Sequence, residues 1–181
     1  MEKKALEIYK IPLAISVTLA IVLIALGTLR EPLDIAAAIV GSVFGTFVLD
    51  LEYYLYAYII EPTKDFSKTL TSYINHKDIT NAILYVDHHK NEITDKSLNS
   101  ALFQIVIAGF SLFVVYSTRS VFAKALVLSI LANSIYKLIE LYLKSDYANW
   151  FWIMKIPPKK DTVTLYLIGV IALFAFCLYI F

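Results

Sequence analysis

Apolar residues fall in five long runs along the chain, at 11–29, 33–60, 98–117, 121–143 and 162–181. A helix of about 20 apolar residues crosses the roughly 30 Å hydrocarbon core of a bilayer. The pattern therefore predicts an all-α integral membrane protein, a single membrane domain over residues 1–181 built as a bundle of about five transmembrane helices. The first run follows Met1-Glu-Lys-Lys, exceeds a signal-peptide core in length, and has no small-x-small site ahead of Arg30-Glu31-Pro32. It reads as a retained helix. The second run would measure about 40 Å as one helix, so it must tilt or protrude.

Two connections have patterns of their own. Between the second and third runs, residues 61–97 carry Phe66, Leu70, Tyr73 and Ile74, then Ile79, Ala82, Ile83 and Val86. Spacings of three and four predict two short amphipathic helices on the cytoplasmic surface, the second capped by Asp78 or Thr80. In 145–161, Tyr147, Trp150, Phe151 and Trp152 make an aromatic cluster of the kind that sits at headgroup level, and Pro157-Pro158 stops the chain before the last run.

Composition agrees with the pattern: 59% of the 181 residues are hydrophobic and 17% charged, against roughly a quarter charged in a soluble domain. A net charge of +1 argues against a basic nucleic-acid surface. Cys177 is the single cysteine, so there is neither a disulfide framework nor a cysteine metal site. Distribution of charge is more informative. Twelve cations lie in the N-terminal segment and the 61–97 and 144–161 connections, and three (Arg30, Arg119, Lys124) on the opposite side. Retention of positive charge in the cytoplasm then predicts five crossings with the N-terminus inside and the C-terminus outside.

Ionisable groups within spans are costly and mark functional candidates. Counting 1.5 Å per residue puts Asp50, about 25 Å into the second run, level with Lys137, about 24 Å into the fourth. Asn133, Lys137 and Glu140 share one face of the fourth run, while Asn99 opens the third and Gln104 sits deeper. Asp50, Glu52, Asn99, Asn133, Lys137 and Glu140 are thus expected to crowd into the inner half of the bundle. Asp50 and Glu52 point apart on a continuous helix, so one is expected to pair with Lys137 and the other to snorkel toward the interface. Gly41-x-x-x-Gly45 predicts close approach of a neighbouring helix.

Four segments carry a resemblance: Gly45-Thr-Phe-Val-Leu-Asp-Leu-Glu-Tyr, Asn99-Ser-Ala-Leu-Phe-Gln-Ile-Val, Ala125-Leu-Val-Leu-Ser-Ile-Leu-Ala-Asn and Asn149-Trp-Phe-Trp. Over roughly residues 40–152 the chain resembles the membrane-bound metal-dependent hydrolases, particularly small multi-span members from candidate-phyla bacteria. That family's first block reads approximately Asp-x-Asp-His, its second has His before Ser, and its third has His followed four residues later by Asp. By this resemblance Asp50 matches the first aspartate and Glu52 replaces the second. Tyr53, Asn99 and Asn133 stand where histidines are expected, and Lys137 where an aspartate is. Amides are weaker metal donors than imidazoles, and a protonated ammonium does not coordinate. The resemblance implies a bacterial inner membrane location and a metal centre replaced here by a salt bridge.

Three functions are compatible with these residues. The favoured one is a catalytically degenerate membrane protein that binds a lipid, a partner helix or a second copy of itself. The second is a working hydrolase in which Asp50, Glu52 and His88 or His89 hold a divalent metal ion whose bound water attacks a membrane-associated substrate. Adjacent histidines on a helix diverge by about 100°, which counts against it. The third is an ion-coupled transporter relaying charge through Asp50, Glu52, Lys137 and Glu140. No inverted repeat supports it, and no nucleotide-binding, serine-nucleophile or zincin motif is present.

Overall fold

The computed structural model describes residues 2–27, 29–90, 93, 97–154 and 156–181, with the backbone alone for residues 2–6. Among the cations that set the charge asymmetry, Lys96 and Lys155 lie outside the described residues, as do the side chains of Lys3 and Lys4. The described chain is helical, without strands.

Helix α1 spans Glu2–Leu26 and α2 spans Pro32–Val48, with Pro32 and Asp34 in the first turn, where a missing N–H and a negative charge are both favourable. A short α3, Leu51–Leu55, continues as a π-helical segment, Tyr56–Ile60. Two amphipathic helices come next, α4 over Asp65–Asn75 and α5 over Ile79–His89. Asp78 caps α5, its carboxylate accepting from the Asn81 N–H at 3.2 Å. Helix α6 is Ala101–Ser117, capped by Ser100, and α7 is Val121–Leu143, capped by Ser120. A 3-10 turn at Ala148–Phe151 precedes α8, Lys160–Tyr179.

Three helical stretches are long and apolar enough to cross a membrane: Glu7–Leu26, Val121–Leu143 and Lys160–Tyr179. The pair Pro32–Val48 and Leu51–Ile60 passes as one span only if its 48° bend is counted within it, and the apolar Ala101–Ser117 is shorter. The single tilted helix expected over 33–60 is therefore corrected to a broken one. Main-chain bonds show the break: Asp50 N–H donates to the Phe47 carbonyl and Tyr53 N–H to the Asp50 carbonyl, three residues back instead of four.

Helices α1, α2, α6, α7 and α8 run alternately up and down. Tyr9 of α1 meets Phe47 at the end of α2, and Tyr142 at the end of α7 bonds Thr164 at the start of α8. At the opposite end Lys124 reaches the Phe181 carbonyl. Both lysine-bearing connections consequently lie at one end of the bundle, with the start of α1.

Helix α7 is central, and α2 packs closest to it, through glycine. A Cβ built on Gly41 would stand 2.6 Å from the Phe122 carbonyl oxygen, and one on Gly45 2.5 Å from Ser129 Cβ. Glycine is what lets the two backbones meet. Around α7 gathers an apolar core that includes Leu49, Leu131, Leu138, Phe151 and Leu167. A second cluster, Tyr53, Tyr56, Ala57, Phe66, Leu70 and Ala82, seats α4 and α5 on the bent end of the second helix. The apolar stripes of these two helices thus have a partner within the protein.

Candidate functional site

The break at Asp50 builds the polar centre. With the helix turned by 48°, Asp50 and Glu52 no longer diverge uselessly; each finds a partner inside the protein. Asp50 Oδ1 accepts from Lys137 Nζ at 2.9 Å, as the level of the two helices predicts. Glu52 is 3% exposed and so does not snorkel. Its two oxygens accept the Leu98 N–H at 2.9 Å and the Asn99 N–H at 3.1 Å. These N–H groups precede the first turn of α6, where a carboxylate is favoured by the helix dipole.

Asn99 joins the two carboxylates. Its amide nitrogen donates to Glu52 Oε2 at 2.5 Å and to the Leu49 carbonyl at 3.0 Å, and its amide oxygen accepts from Lys137 Nζ at 3.1 Å. Leu49 is the residue at the break, so a side chain from the far end of the 61–97 connection supplies the donor there. Asn99 belongs to the lead-in to α6, not to the span expected from position 98.

Asn133 is held in a different network, about one helical turn from Lys137 along α7. Its amide nitrogen donates to Ser16 Oγ at 3.0 Å and to the Ser129 carbonyl at 2.9 Å. Thr46 donates to Ser16 at 2.7 Å, the Ser16 and Ser129 hydroxyls bond at 2.9 Å, and Ser129 donates to the Ser42 carbonyl. These hydroxyls tie α1, α2 and α7 together beside Gly45. Small neutral residues in apolar runs are easily passed over in a sequence, although they are the sparse polar positions of those runs. Gln104 is fully buried with neither amide atom bonded among the described residues.

Above the ion pair lies a cavity of about 370 Å³ with Asp50, Asn99 and Lys137 on its floor. Tyr9, Tyr53, Tyr136 and Trp150 face it, α1 contributes Ile8, Ile11 and Pro12, and α5 covers it with Ile83 and Val86. Its rim carries Asp87, Lys90, Glu140 and Asp146. Glu140 is a rim residue and not a member of the buried network: it accepts from Lys144 at 2.6 Å. That hydrogen bond raises the Lys144 pKa.

The residues present do not fit a divalent metal. Glu52 is saturated by N–H donors from the lead-in to α6, and Asp50 lies against an ammonium that repels a cation. His88 is exposed, and His89 lies on Tyr85 at 4.2 Å with Nδ1 at 2.9 Å from the Tyr85 carbonyl. Among the described residues no three histidine, cysteine or carboxylate side chains gather to hold an ion. No family model, curated protein or solved structure matches the chain.

Proposed function

We propose that the chain is a polytopic bacterial inner-membrane protein, a catalytically degenerate relative of the membrane-bound metal-dependent hydrolases, and that its cavity binds a lipid. The observation that carries this reading is the self-satisfied network: Asp50, Glu52, Asn99 and Lys137 bond one another and the backbone. Among the described residues, Asp50, Asn99 and Lys137 on the cavity floor each have a partner within the protein.

Five crossings are part of the proposal. The alternating run of α1, the bent α2–α3 pair, α6, α7 and α8 supports it. Helix α6 at 17 residues matches the lower end of span lengths, about 17 residues. The lysine asymmetry supports a cytoplasmic location for the cavity end. There α5 lies along the interface, apolar side inward, as surface helices do. A partner helix or second copy as ligand has no comparable support, since the cavity is concave, roofed by α5 and of small-molecule size.

Native mass spectrometry of the full-length protein released from lipid nanodiscs tests the reading. One lipid-mass adduct is expected to survive mild activation. Val86→Trp, which fills the cavity from α5, is expected to remove it. A wild-type protein without an adduct, or an adduct indifferent to Val86→Trp, would count against a cavity-bound lipid.

A further inference from the structure

Identifying the head group rests on the reading of the cavity as a lipid site; that reading leaves the head open, and the lining narrows it. We propose that the cavity takes an amphiphile whose head carries a protonated amine or quaternary ammonium.

Charge is the first argument. Four carboxylates line the cavity (Asp50, Asp87, Glu140, Asp146) against two ammonium groups, Lys90 and Lys137. Both lysines are already held: Lys137 by Asp50 and Asn99, Lys90 by Asp87 at 2.8 Å. Among the described residues, an anionic head therefore meets no unpaired cation on the wall and several acids. Asp146 has no basic partner among the described residues, and Glu140 is neutralised from outside the lining, by Lys144. The balance of the lining favours a positive guest.

The walls argue the same way. Tyr9, Tyr53, Tyr136 and Trp150 surround the space, and the negative faces of aromatic rings attract ammonium ions. An exit for the chains exists as well. Ile11 lines the same space and is 51% exposed, so the cavity opens to the surface beside α1. Its level, at the ends of α2 and α7, is that of the head groups.

The test uses delipidated, full-length protein in detergent and short-chain lipids of matched acyl length. Phosphatidylethanolamine and phosphatidylcholine are compared with phosphatidylglycerol, which shares their phosphate and lacks the ammonium. Binding is read by native mass spectrometry and by the shift of the unfolding midpoint. The ammonium lipids are expected to bind about tenfold more tightly. Asp146→Asn and Tyr136→Leu, neither of which takes part in the ion pair's hydrogen bonds, are expected to shrink that preference while leaving phosphatidylglycerol binding unchanged. Equal binding of all three lipids, or preference for phosphatidylglycerol, overturns the head-group assignment and leaves the lipid cavity standing. Binding of none overturns both. An ethanolamine hydrochloride arm identifies the source: displacement of lipid by the free amine supports a soluble ammonium guest, and dependence on the acyl chains supports a bilayer one.

Discussion

Gly45→Val is expected to lose about 3 kcal/mol of stability, the upper part of the range for overpacking a close contact, and to shift the protein toward aggregate on size exclusion. The reason is geometric. A Cβ at this position falls 2.5 Å from Ser129 Cβ and 2.9 Å from the Leu126 carbonyl oxygen, where nothing flexible can yield. Widening the α2–α7 contact also strains the Ser16, Thr46 and Ser129 hydroxyl network that ties α1, α2 and α7 together, and moves Asp50, just past α2, away from Lys137 on α7. Gly109→Ala is the matched control: its added methyl meets nothing within 4 Å, so the unfolding midpoint in detergent should hold. A Gly45→Val protein that unfolds at the wild-type midpoint would remove the close α2–α7 contact from the account.

Removing the ammonium is expected to be nearly as damaging. Lys137→Met leaves Asp50 beside an apolar side chain and takes away the donor to the Asn99 amide oxygen. Breaking a fully buried pair costs about 3–5 kcal/mol. The two side chains keep 24% and 22% exposure, toward the cavity, and that solvation lowers the expected loss to about 2 kcal/mol. Adding Asp50→Asn to Lys137→Met removes the stranded charge and is expected to restore part of the loss, a coupling of about 1–2 kcal/mol in thermal unfolding. Strictly additive losses would show that the pair contributes no direct interaction.

That Asp50 and Lys137 lie level was legible from helix rise, although the sequence left Asp50 or Glu52 open as the partner that the structure shows to be Asp50. So were the whole of α7 and the two amphipathic helices, because each is written in local periodicity; of the two caps the sequence offered for α5, Asp78 and Thr80, the structure uses Asp78. The break at Asp50 was not legible. Two acids separated by a single leucine in an apolar run signalled something costly. The donor that bonds the Leu49 carbonyl, Asn99, arrives from fifty residues away, and local pattern carries no trace of it. The same non-local contact explains why Glu52 is buried and not snorkelling. Asn133 was grouped with the ion pair because it shares a helix face with Lys137. One turn of separation was enough to place it instead among hydroxyls that look inert in sequence.

The centre is held by donors from the protein itself: Lys137 supplies the positive charge beside Asp50 and donates to the Asn99 amide oxygen. Glu52 is saturated by the Leu98 and Asn99 N–H groups and the Asn99 amide, so the carboxylates are satisfied without a metal ion.

Elemental analysis of the full-length protein, purified without chelator and equilibrated in turn with zinc, manganese, magnesium and calcium, tests this central claim most directly. The account predicts substoichiometric metal for every ion, with the same trace in Asp50→Asn. One equivalent of a divalent metal per chain, lost on Asp50→Asn, would contradict it.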